Sequence, residues 1–317
     1  MAYFLGLLPT ILTVGTIYAL AASGYTLIHA ATRQFHLALG ALFTLGGYVT
    51  FIAFTLLDIL GATSPAAIVA GALLLALAVA AVGGIALHAF TLIQPAGSAA
   101  SWGANPTAPL VVTVGLGIAA AEIVRMLHES HTLFVPPTVA GVLMLRLGGE
   151  SLVMPLRLLL VFPLGVAAWI VAGALVRRSR FGRALRAVSD DPRMARLLGI
   201  SVERVVLATF MLGAALTGFA GALSVERYGA VWPYMGLILG LKAIAAAVIG
   251  GIGSLSGALV AAFGIAAAET LWTAYVAGDY RDVAVFVLLV LALIFRPDGL
   301  FARPVVEPVS GAGGARR

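Results

Sequence analysis

GLILGLKAIAAAVIGGIGSLSGALVAAFGIAAAETLWTAYVA, residues 236–277, decides the fold. As one helix, these 42 residues at ~1.5 Å each would be about twice the ~30 Å thickness of a bilayer's hydrocarbon core. The run GGIGSLSG at 250–257 breaks the stretch, so it reads as two helices joined by a tight turn, with Gly250, Gly251, Gly253 and Gly257 supplying backbone freedom and close packing. Two other readings of this run fail. The Gly-x-Gly start has Ser256 where a dinucleotide fingerprint has its third glycine, and no strand precedes it. An intramembrane serine protease motif would want glycine where Ser254 stands.

The rest of the chain has the same character. Of its 317 residues 62% are hydrophobic and 10% charged, with a mean hydropathy of +1.08, whereas soluble domains carry about 25% charged residues. Apolar stretches fall at 7–29, 37–57, 65–93, 108–127, 155–176, 204–225, 236–250, 255–277 and 282–295. The chain therefore reads as an all-α polytopic membrane bundle of about eight to ten helices, a single transmembrane domain over 1–317 with a tail at 304–317. The N-terminal run has no preceding Lys or Arg and no small-residue cleavage site, so it reads as a first spanning helix. Ala76, Ala80 and Gly84 form a ridge of small residues suited to helix packing in lipid. With no cysteine, disulfides, thiolate zinc sites and catalytic thiols are excluded.

Charge sets the orientation. Eight of the 19 basic residues lie in 177–204 (Arg177, Arg178, Arg180, Arg183, Arg186, Arg193, Arg196 and Arg204), against Asp190, Asp191 and Glu203. The positive-inside rule makes this segment cytoplasmic, together with Arg33 and the C-terminus, and leaves the N-terminus outside. The net +6 charge and pI of 10.1 thus report topology, not nucleic acid. Within RFGRALRAVSDDPRMARLLGIS (180–201), Ala184, Leu185, Ala187 and Val188 occupy adjoining turns. Asp191 before Pro192 is an N-cap with proline at the first helical position, and Gly199 follows Leu197 and Leu198 as a helix terminator. Two short amphipathic helices result. From composition alone they either dock on a partner or lie on anionic lipid.

The residues of 179–223, YGAVWPYMGLILGLKAIAAAVIGGIGSLSGALVAAFGIAAAE (228–269), RPDGLF (296–301), IYALAASGYTL (17–27) and LGGYV (45–49) resemble the membrane permeases of branched-chain amino acid ABC importers, specifically those related to the first of the two permeases. The resemblance implies that the segment 177–204 seats in a cleft of a cytoplasmic ATPase, with Gly182, Arg183, Ala187, Asp191, Pro192, Ala195, Leu198, Gly199 and Ile200 on its motif and Leu197 and Leu198 as anchors. It implies a bacterial inner-membrane location, a second homologous permease, two ATPase subunits and an extracytoplasmic solute-binding protein. The chain has no GxxxxGK[ST] to cradle a nucleotide, so it is expected to hold no cofactor and to leave ATP to its partner. The alternative, a stand-alone secondary carrier, would usually show inverted repeats with ion sites at midplane, and no acidic pair is placed for that.

Departures from that family bear on the solute. Relatives usually carry Asn-Phe-Ala-His-Gly-Glu after the first helix; here His36, Leu37, Ala38, Leu39, Gly40 and Ala41 stand there, and only Ala38 and Gly40 agree. Ala121 and Glu122 replace a Gln-Asn pair, and the loop 94–107 is uncharged. The resemblance implies a branched-chain amino acid as solute, and these departures open it to the aromatic acids, urea and short amides that related systems carry. Among ionisable groups in apolar stretches, Lys242 and Glu269 are candidates to meet a zwitterion, with His36 and Gly40 lining the same path. The competing reading has Lys242 snorkelling outward and Glu269 paired within the bundle. Glu122 and Arg125 are spaced for a local pair. His128 and His131 lack the helical HExxH spacing of a zinc protease.

Overall fold

The computed structural model describes residues 2–59, 65–92, 108–127, 131–135, 141–147, 150–276, 278–297 and 299–301. The tail at 304–317, the loop 94–107 and the His128–Glu129 pair lie outside them. Helices α1 (Ala2–Thr32), α2 (Leu39–Ile59), α3 (Pro65–Leu92), α4 (Ala108–Leu127), α5 (Leu156–Arg178), α8 (Val202–Tyr228), α9 (Met235–Gly250), α10 (Leu255–Tyr275) and α11 (Arg281–Phe295) follow the nine apolar stretches. Two short helices, α6 (Arg180–Asp190) and α7 (Pro192–Leu197), fill the basic segment.

Seven of these helices are long and apolar enough to cross a membrane. The other two are shorter. α9 and α11 have 16 and 15 residues, about 24 and 23 Å of rise at ~1.5 Å per residue, less than the ~30 Å core. Four short strands were not expected from the sequence. β1 (Leu133–Phe134) pairs antiparallel with β4 (Ala230–Val231), which ties the α4–α5 connection to the end of α8. β2 (Val142–Leu147) and β3 (Glu150–Pro155) form a hairpin in the same connection.

The core is assembled around α1 and α8, and both are lined with small residues at their crossings. A Cβ on Gly24 would stand 2.5 Å from the Gly213 carbonyl oxygen, and one on Gly46 would stand 2.0 Å from that of Gly218. Backbones meet directly there, which is how helices gain dispersion energy where lipid offers no hydrophobic drive. The ridge of α3 serves the same end: Ala76 and Ala80 are fully buried, and Gly84 lies against Phe210 and Ala214 of α8. α4 is the least buried of the seven spanning helices, with only Thr113 fully buried among its described side chains.

α1 and α6 meet at one end of the bundle, the basic end, from which α8 rises toward the β1–β4 pair. α9 returns from there, and its far end is bound by the C-terminal RPDGLF: Leu300 N–H donates to the Ile249 carbonyl (2.8 Å) and Phe301 N–H to that of Gly250 (3.2 Å).

Candidate functional site

The basic segment folds as two capped helices with contrasting surroundings. Ser179 caps α6, its hydroxyl accepting from Gly182 N–H at 3.1 Å. Gly182, Leu185 and Val188 turn toward the bundle and are buried. A Cβ on Gly182 would come within 1.8 Å of the Val176 carbonyl oxygen, so only glycine lets α6 fold back against the end of α5. Arg186 Nη1 donates to that same carbonyl at 3.0 Å. Asp191 caps α7, accepting from Arg193 N–H (2.8 Å) and Met194 N–H (3.1 Å), with Pro192 in the first turn. At the other end Gly199 is left-handed (φ 81°) and Ile200 N–H reaches back to the Ala195 carbonyl at 3.0 Å, a Schellman closure. Ala195 is buried, while Leu197 and Leu198 are 82% and 72% exposed and Met194 is exposed beside them. Arg183 and Ala187 lie on α6, Arg183 exposed and Ala187 half-buried.

At the opposite reach of the site candidates, Lys242 is 2% exposed and does not snorkel. Its Nζ lies 2.7 Å from Glu269 Oε1 and 2.6 Å from Asp282 Oδ1. Tyr18 of α1 donates its hydroxyl to Glu269 Oε2 at 2.8 Å, and the Arg281 guanidinium stands 3.8 Å from both carboxylates. Four helices thus meet in a neutral set of two cations and two carboxylates. Asp282 sits in the first turn of α11, where the helix dipole favours a carboxylate. Lys242 and Glu269 were legible as intramembrane charges. Tyr18 and Asp282 were not singled out, and the available signal was that Asp282 heads the last apolar stretch.

His36 and Gly40 are held by other contacts. His36 is buried, its Nε2 3.3 Å from Thr32 Oγ1 and its ring edge-on to Phe210 at 5.1 Å. Burial first, then His29, pushes its imidazole down to about 4, so it stays neutral at neutral pH. Gly40, in the first turn of α2, packs on the backbone of Gly236, and Gly240 lies against it in turn. The 250–257 turn holds Gly251 and Gly253 at φ 94° and 90°, and Ser254 caps α10 through Gly257 N–H at 3.1 Å. Gly250 and Gly257 approach within distances that leave no room for a Cβ on either. Glu122 and Arg125 pair on α4, with Arg125 Nε 2.7 Å from Glu122 Oε1, and Tyr234 donates to the other carboxylate oxygen at 3.0 Å. Among the described residues no His, Cys, Asp and Glu side chains gather as a metal site.

Residues 7–293 match the family model described as branched-chain amino acid transport system / permease component. The chain is 33% identical over 304 residues to the high-affinity branched-chain amino acid transport system permease protein BraD of Pseudomonas aeruginosa, covering 94% of this chain and 95% of that one. It is 32% identical over 308 residues to LivH, the permease of the corresponding system in Escherichia coli, with 97% and 98% covered. A shorter match, 36% over 127 residues and 35% of this chain, reaches the xylose transport system permease protein XylH of Escherichia coli.

Proposed function

This chain belongs to the branched-chain amino acid transport system permease family, and from that premise we propose that it is the membrane permease of an ATP-driven importer whose energy enters through α6 and α7. The observation that carries the reading is the pair Leu197 and Leu198, exposed on a helix fixed at both ends and mounted on a helix whose own apolar face is already buried. An importer needs such a lever, rigid at its base and apolar at its tip, to take up the closing motion of an ATPase. The excess of arginine in this segment supports a cytoplasmic position for it. The C-terminus is on the same side, a reading supported by the hydrogen bonds of Leu300 and Phe301 to the end of α9. A second permease of the same family, two ATPase subunits and an extracytoplasmic solute-binding protein complete the assembly in a bacterial inner membrane.

The solute is a branched-chain amino acid or a related small compound, in keeping with BraD and LivH. Its path runs past the start of α2 at His36 and Gly40. Lys242 and Glu269 are the second contact on that path. A zwitterion arriving there exchanges partners with the internal pair, its carboxylate taking Lys242 and its ammonium taking Glu269.

Leu198→Asp tests the docking. A carboxylate forced into an apolar pocket without a partner costs several kcal/mol, so the variant is expected to insert normally yet lose ATP-dependent uptake by about tenfold or more and to fail to retain the ATPase on purification. Normal uptake with unchanged ATPase association overturns the docking role of α7.

A further inference from the structure

Between α1 and α2 the chain does not cross the basic end as a surface loop. Thr32 ends α1, Arg33 reverses the chain, and residues 36 and 38–40 are already buried when α2 begins. Arg33 is the one non-glycine residue with a positive φ (55°) among the described residues. A left-handed conformation is unfavourable for a residue with a Cβ and persists only where neighbours hold it. Two contacts do so here. Arg33 N–H donates to the His29 carbonyl at 2.7 Å, closing the end of α1. Its Nη2 donates to the carbonyl of Ser189 at 2.9 Å.

Ser189 lies in the last turn of α6, two residues before Asp191, the joint with α7. Carbonyls in a last turn lack intrahelical donors, and a guanidinium there also meets the negative end of the helix dipole. Beyond Arg33 the linker is pinned at each step. Phe35 packs on His29 with ring centroids 4.5 Å apart, His36 bonds back to Thr32 and abuts Phe210, and its carbonyl accepts from Leu39 N–H in the turn that starts α2. Gly40 follows at once, in backbone contact with Gly236 of α9. A span this short, anchored to the coupling helix at one end and to the start of α2 at the other, has little slack.

We infer that Arg33 is a positioning residue for energy coupling: it ties α6 to the α1–α2 linker, so that displacement of the coupling helices is passed to the first turn of α2 and to α9 behind it. This rests on the reading that α6 and α7 receive the ATPase.

Arg33→Gly separates the side chain from the backbone, because glycine keeps the left-handed turn at no steric cost while losing the guanidinium. The test uses the full importer, reconstituted with its ATPase and binding protein in liposomes. The variant is expected to retain ATPase association and hydrolysis but to move about tenfold less solute per ATP. A wild-type ratio overturns the inference. The chain has no cysteine, so Gln34→Cys carries a single nitroxide reporter on the linker. Its mobility is expected to change on ATP binding with Arg33 present and to stay fixed in Arg33→Gly. A response equal in both backgrounds, or absent from both, overturns the tie. Loss of ATPase association belongs to the docking reading and is read separately in Leu198→Asp.

Discussion

Residues 177–204 set eight arginines against three acids and expose most of them, whereas Lys242, Arg281, Glu269 and Asp282 cancel one another where four helices meet. Water and lipid headgroups solvate the first group, so its charge is free to serve topology and recognition. Nothing of that kind surrounds Lys242 and Glu269, which are buried, so each of these two needs a partner within hydrogen-bond reach. The contrast recurs on a smaller scale inside the basic segment. α6 uses its apolar residues within the molecule, and α7 keeps Leu197 and Leu198 for something outside it.

The strongest challenge to this comparison is Lys242→Met. It leaves Glu269 with the Tyr18 hydroxyl and, farther off at 3.8 Å, the half-exposed Arg281 guanidinium, and breaking one side of a buried ion pair costs roughly 3–5 kcal/mol. Thermal melting in detergent is expected to show a large loss, most of it recovered in Lys242→Met/Glu269→Gln, where both members become neutral. Full stability in the single variant, with slowed transport only of carboxylate solutes, would instead show that Lys242 is held for the substrate rather than for the fold.

Much of the molecule was readable from its residues. Every apolar stretch became a helix within a few residues of its expected ends, since a 20-residue apolar run has no other stable form in lipid. Asp191, Pro192 and Gly199 marked the ends of α7 because capping depends on local backbone chemistry. What escaped was set by contacts distant in the chain. Tyr18 meets Glu269 across 251 positions, and Asp282 meets Lys242 through the packing of α11 on α9. Neither pairing has a periodicity to reveal it. The β1–β4 pair joins two-residue strands too short to carry an alternation. Arg33 looked like a topology marker, and its strained φ and its bond to Ser189 exist only once α6 is in place.

Gly182→Val sharpens the comparison by displacing the basic segment alone. The added side chain collides with the Val176 carbonyl, which is backbone and cannot rotate away. Overpacking of this kind costs about 1–3 kcal/mol, and α6 is expected to swing off the end of α5. ATPase co-purification should then fall sharply while the melting transition shifts far less than in Lys242→Met. An unchanged ATPase yield would mean that the seating of α6 on α5 is irrelevant to docking.

Asp191→Ala has the smallest effect and isolates one helix end. The Asp191 carboxylate takes up the N–H groups of Arg193 and Met194, and losing such a cap costs about 1 kcal/mol. α7 has only 6 residues, so nothing else in its first turn compensates, and the helix is expected to fray there while the bundle stays intact. Hydrogen exchange is the measurement suited to a local change: the Arg193 and Met194 amides should lose about fivefold in protection, with amides around Lys242 and Glu269 unaffected. Asp191→Asn, which caps nearly as well, should restore protection without restoring the charge. If Asn fails where Asp succeeds, the carboxylate acts through its charge among the neighbouring arginines, and the surface segment obeys the same pairing rule as the buried cluster.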